Sequence, residues 1–148
     1  TATLAHDGKG LYLAISVRDQ MHCAGQTGAK LWCGDSVQIA LVMDGKQTEF
    51  GMTAAGGGSN FCWMSPDARL INTSPDWPCA VVREGSVTTY RGYVPFSALG
   101  GAYRPGPLLR MTFVVNEDDG RGRVRMLKWF DGIHPGKDVR KFGYLVLE

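Results

Sequence analysis

The stretch Leu31-Trp-Cys-Gly-Asp-Ser-Val-Gln-Ile-Ala-Leu-Val-Met-Asp44 decides how the fold is read. From Val37 onward the odd positions are Val37, Ile39, Leu41 and Met43, all apolar, while Ser36 and Gln38 stand among the even ones. Successive side chains of an extended chain point to opposite sides, so a spacing of two predicts a strand with one buried face. Carried backward with the same parity, Trp32 falls on the Gln38 face, away from the core. A large aromatic ring on the wet side of a strand calls for a reason.

The same alternation recurs outward from this strand. Leu11, Leu13, Ile15 and Val17 share one face, and Asp7-Gly8-Lys9-Gly10 turns the chain back toward a strand over residues 1–5, which predicts a hairpin. Residues 18–30 carry Gly25 and Gly28 without periodicity and read as a loop. Strands are predicted over 48–53 and 60–64, then a loop with Pro66, Pro75 and Pro78. A second hairpin joins 80–83 to 87–94 across Glu84-Gly85. Pro95 to Leu99 reads as one helical turn stopped by Gly100 and Gly101. Strands over 108–116, 124–129 and 144–147 complete the chain. No segment keeps a helical period over ten residues. The expected fold is all-β, an antiparallel β-sandwich of two sheets with an immunoglobulin-like or jelly-roll-like appearance.

With 148 residues the chain is long enough for one domain with a real core. Twenty glycines and seven prolines fit short strands with many turns. A net charge of +2 argues against a nucleic-acid partner. No apolar run approaches the roughly 20 residues that span a bilayer, which argues against a membrane. Thr1 starts almost inside a strand-like segment, with no initiating methionine or signal peptide, so residues 1–148 read as a single domain excised from something larger. Cys23, Cys33, Cys62 and Cys79 match no paired zinc motif. Free thiols and disulfides both stay open, with Cys23–Cys33 the pair to test first because it brackets a loop.

Four stretches occur in a familiar order: Leu11-Tyr-Leu-Ala-Ile-Ser-Val-Arg-Asp19, Trp32-Cys-Gly-Asp-Ser-Val-Gln-Ile39, Val115-Asn-Glu-Asp-Asp-Gly120 and Lys137-Asp-Val-Arg-Lys-Phe-Gly-Tyr-Leu-Val-Leu147. Together they resemble the family 9 carbohydrate-binding modules, within the wider group of DOMON-like β-sandwiches. The resemblance runs from Leu11 to Leu147, and one or two N-terminal strands common in the family are missing before Thr1. It implies a noncatalytic module of a secreted or cell-surface glycan-degrading enzyme. The partners would be a polysaccharide or oligosaccharide and the parent catalytic domain, and structural calcium is often bound in the family. The family's first clamp tryptophan matches Trp32, and a polar residue that bonds sugar hydroxyls matches Gln38. The second clamp tryptophan would fall at Gly136, an arginine near Gly51 and a glutamine at Val114, and none of these is kept.

An exposed indole can cover the apolar face of a sugar ring, and hydrogen bonds to hydroxyls then fix its orientation. Trp32 is therefore either a platform or packing under the 18–30 loop. Trp63 alternates with Phe61 and reads as core, and Trp77 as a surface platform or a loop anchor. Trp129 ends a strand, where it either approaches the sugar or plugs the sandwich edge. His134 and Lys137 stand where the second wall is missing and could donate to hydroxyls or to an acidic sugar. The carbohydrate-binding candidates are thus Trp32, Gln38, Trp129, His134 and Lys137.

Asn116 to Gly120 has oxygen ligands at alternating positions but lacks the EF-hand pattern, and Arg121 and Arg123 follow at once. It reads as a charged turn, which leaves Asp19, Asp35 and Asp118 as weak metal candidates. No Gly-x-Ser-x-Gly, His-Glu-x-x-His or phosphate-cradling loop points to catalysis. Two alternatives to sugar binding remain. One is an accessory domain that has lost it. The other is an electron-transfer domain holding noncovalent haem through Met21, His22 or His134, since no Cys-x-x-Cys-His motif is present.

Overall fold

Ten strands alternate with tight turns and short 3₁₀ segments in the computed structural model, which describes residues 1–101, 106 and 108–147. They are β1 (Ala2–His6), β2 (Gly10–Arg18), β3 (Ser36–Met43), β4 (Lys46–Thr53), β5 (Ser59–Met64), β6 (Cys79–Glu84), β7 (Val87–Pro95), β8 (Leu108–Asp118), β9 (Arg123–Lys128) and β10 (Gly143–Val146). One sheet has the order β1-β2-β7-β6. The other runs β10-β8-β3-β4-β5, with β9 paired to the C-terminal half of β8. Every pairing is antiparallel. The expected two-sheet antiparallel sandwich is the observed fold, and Pro95 to Leu99 yields a 3₁₀ turn over Phe96–Leu99 closed by Gly100 at φ 74°.

One core lies between the sheets. Leu11, Leu13, Ile15, Tyr90 and Val94 come from one side, and Val37, Ile39, Leu41, Met43, Phe50, Met52 and Met111 from the other. Each fully buried aliphatic side chain stabilises by about 1.5–3 kcal/mol relative to exposure. Trp77 anchors its loop here, edge-on to Phe50 with ring centroids 5.6 Å apart.

The outer face of the second sheet departs from the sequence reading. All eight residues of β3 are buried, not one face alone. The segment after β9 folds back over this side, and Ile133 and Phe142 pack on Ala40, Val42 and Val114. What the alternation marked as the wet face is therefore partly covered. Its polar members, Ser36, Gln38, Glu49 and Asn116, sit at the rim of a small second core. Trp63, expected in the core, lies on this outer side and is half-buried. It packs edge-on to Phe61, and its Nε1 donates to the Ala29 carbonyl at 3.2 Å.

Candidate functional site

Trp32 does not belong to strand β3. It sits in a 3₁₀ turn over Gly28–Cys33, and Gly34 and Asp35 separate it from the strand. Strand parity does not propagate through such a turn, so the parity argument for its position fails. Position is set instead by its neighbour Leu31, which is fully buried above Gly51 and Trp63. With Leu31 pinned, Trp32 is left 37 % exposed.

The turn nevertheless delivers Trp32 to the place expected. Trp32, Gln38, Arg123, Ile133, His134, Pro135 and Lys137 line one groove of about 320 Å³. The opposite wall is carried by the 132–138 loop. Asp138 N donates to the Gly132 carbonyl at 3.0 Å, closing the loop, and Lys128 Nζ donates to the His134 carbonyl at 3.1 Å. Ile133 roots the loop in the second core. Gly136 opens to free space, so the second wall has no aromatic ring.

The polar groups of the groove form a connected set. Gln38 is 8 % exposed, and its Oε1 accepts from Asn116 Nδ2 at 3.2 Å. Asn116 Nδ2 also reaches Ser36 Oγ, while Asn116 Oδ1 accepts from Arg123 Nη1 at 3.4 Å. The Arg123 guanidinium lies over the Trp32 ring, 4.6 Å from its centroid, a cation–π contact. Lys137 Nζ donates to Glu49, which is 2 % exposed and has its other carboxylate oxygen unpartnered. A buried carboxylate beside a half-exposed ammonium is stabilised by the pairing, which ties Lys137 of the groove lining to β4.

Four of the five sequence candidates, Trp32, Gln38, His134 and Lys137, thus meet. Trp129 does not. Its N donates to the Phe113 carbonyl at 3.0 Å, and its ring stacks on Phe113 at 5.5 Å. Phe113 faces between the sheets, so Trp129 follows it into a separate cavity of about 660 Å³ at the sandwich edge, with Ile15, Val17 and Leu127. The positions that match the family's arginine and glutamine are filled by packing. A Cβ on Gly51 would come within 2.8 Å of Leu31 Cδ1, and Val114 is buried under Ile133. Arg123 was missed by sequence reasoning, which took it only as a charge opposed to a cation.

Asp19, His22 and Asp35 place ligand-type atoms within 4.8 Å of one another. Both Asp35 oxygens accept backbone N–H groups, from Cys23 at 2.6 Å and Asp118 at 2.8 Å. His22 Nδ1 lies 3.3 Å from Asp35, while His22 Nε2 and Asp19 Oδ2 are buried without partners. Burial holds the His22 pKa below its ordinary value against the opposing pull of Asp35, and Arg83 pushes the same way as burial. Calcium asks for six to eight oxygens. One free carboxylate oxygen, an imidazole and an adjacent guanidinium do not fit it. Asp118 Oδ1 instead accepts from Gly120 N and Gly122 N, both at 2.8 Å, which makes its loop a charged turn and not a cation loop. Nor do the haem candidates converge. Met21 is exposed, His22 lines a cavity of about 60 Å³ that is too small for a porphyrin, and His134 belongs to the groove. The four cysteines are free thiols.

No sequence-family model and no curated protein sequence matches the chain. Solved structures do. A family 9 carbohydrate-binding module from Caldicellulosiruptor kristjanssonii in complex with glucose is 18 % identical, with a TM-score of 0.75 over 99 % of this chain and 75 % of that one. The same organism's family 9 module in complex with cellotriose is 17 % identical, with a TM-score of 0.77 over 99 % of this chain and 73 % of that one. The chain has the fold of the family 9 modules. Among the described residues no helix is long and apolar enough to cross a membrane.

Proposed function

We propose that this domain is a noncatalytic module that holds an oligosaccharide in the groove between Trp32 and the His134–Lys137 loop, as part of a secreted or cell-surface glycan-degrading protein. The observation that carries the reading is the convergence of Trp32, Gln38, His134 and Lys137 on one groove of a fold whose solved members hold glucose and cellotriose. Trp32 supplies apolar area, while Gln38, His134 and Lys137 supply polar groups toward hydroxyls. One stacked ring contributes on the order of 1–2 kcal/mol. A few exposed hydrogen bonds add ~0.5–1.5 kcal/mol each. After the cost of association, dissociation constants from millimolar to high micromolar remain.

A glycan array on the isolated domain followed by NMR titration of wild type and Trp32→Ala tests the reading. A folded variant that loses the best array hit supports it. Equal binding by the folded variant refutes the platform. A second reading, an accessory domain without sugar affinity, draws on the bare second wall at Gly136, and an empty array would favour it.

A further inference from the structure

Resting on that reading, we propose that the groove selects an acidic sugar, a hexuronate unit whose carboxylate is taken by Arg123. The hairpin between β8 and β9 carries three arginines. Arg121 pairs with Asp119 at 3.4 Å and Arg125 with Glu117 at 2.9 Å. Arg123, between them, has no carboxylate within ion-pair distance among the described residues. The acid opposite it in register, Asp118, turns its carboxylate to the backbone of Gly120 and Gly122. Lys137 is already matched by Glu49. Arg123 is therefore the one groove cation left uncompensated by a described acid.

Its setting suits a planar anion. The guanidinium carbon lies 4.6 Å from the Trp32 ring centroid, and among the described residues the Arg123 side chain makes a single hydrogen bond. That bond runs from Nη1 to Asn116 Oδ1 and is long, at 3.4 Å. Arg123 lines the groove, and its Nε and Nη2 have no hydrogen-bond partner among the described residues, so a carboxylate there can accept two parallel bonds. The arrangement also explains how a site without a second tryptophan can hold a ligand. The indole is partly occupied by the guanidinium, so a neutral ring competes with Arg123 for it, whereas a uronate uses Arg123 directly. Gln38, buried beside Asn116, remains to address a ring hydroxyl.

Matched ligand pairs test this by calorimetry or NMR: cellotriose against tri-β-1,4-glucuronate, and galactotriose against trigalacturonate. At low salt one acidic member should bind about tenfold or more tightly than its neutral counterpart. That advantage should shrink at about 0.5 M salt, where screening cuts the reach of the charges to a few ångströms. Arg123→Gln should abolish the advantage by weakening the acidic members, while neutral binding is kept or strengthened because the indole face is freed. Arg123→Lys, which keeps the charge without the fork, should retain only part of it. Arg123 is partly exposed, so both variants should keep the wild-type circular dichroism spectrum. Neutral members binding as well as acidic ones would overturn the acidic preference while leaving sugar binding intact. An advantage that survives Arg123→Gln would overturn the role of Arg123. Binding of none of the four would overturn this proposal, while the glycan array decides the sugar-binding reading separately.

Discussion

Gly136 determines how much of a sugar the groove can enclose. An ideal Cβ built there meets nothing within 4 Å, and the loop that carries it is held at Ile133 and at the Asp138–Gly132 backbone bond. Gly136→Trp should therefore fold normally and supply the absent wall. A second stacked ring face adds on the order of 1 kcal/mol or more. Affinity for cellotriose should rise about tenfold, with a melting midpoint close to wild type. Titration of the purified variant checks both, and unchanged affinity would show that position 136 does not face the bound ring. At this scale Trp32, Gln38, His134 and Lys137 were legible as residue types in the right order. Trp129 stayed open between the groove and the sandwich edge, because a tryptophan at a strand end looks the same whether it faces the groove or stacks on Phe113. Nothing in the order of residues distinguishes the two.

Element geometry explains both the successes and the miss of Arg123. Alternation placed the core faces of β2 and β3 correctly, because period two is a property of the extended chain alone. Parity fails where the chain leaves the strand. Between the pairs Glu117↔Arg125 and Asp118↔Arg123, β9 advances two residues while β8 advances one. This β-bulge at Val124 returns Arg123 to the face of Asn116 and Met126. Unbroken alternation would put it on the other side. Bulges re-aim side chains, and no composition signal announced this one. A covering segment is equally invisible to periodicity, which is why β3 reads as half wet and is buried on both faces. The same crowding makes Gly51 sensitive. A Cβ there lies 2.8 Å from Leu31 Cδ1, 2.9 Å from Trp63 Cη2 and 2.9 Å from the Val37 carbonyl, and the last cannot yield without moving β3. Gly51→Ala should cost about 1–3 kcal/mol in denaturant unfolding and weaken sugar binding by displacing the Trp32 turn. Wild-type stability in this variant would show that both the turn and β3 yield without cost.

At the scale of the whole molecule, both sheets share a single core, so they should unfold together. Ile39→Ala in β3 and Leu13→Ala in β2 should each cost about 2–5 kcal/mol and lower one common transition seen by fluorescence and circular dichroism alike. Two separate transitions would mean that the sheets are independent. Two thiols report the same event from opposite sides of the core. Cys62, fully buried in β5, and Cys79 in β6 both have their pKa raised to about 11, with burial as the leading cause in each. In the unfolded chain a thiol ionises near 8.5. Between roughly pH 8.5 and 11 the unfolded state therefore holds fewer protons on these two groups than the folded state does, so their contribution to stability falls as pH rises through that window. Below it, both states are protonated and the contribution is constant. Chemical denaturation at about pH 8 and pH 10 should show a loss of stability that is smaller in a Cys62→Ala/Cys79→Ala double variant. That variant starts less stable at neutral pH because a buried side chain has been shortened. Equal losses in the two proteins would mean that the thiols are more hydrated in the folded state than their burial implies. Maleimide labelling separates the cases independently, since a buried Cys62 should react only through opening and far more slowly than in the denatured chain.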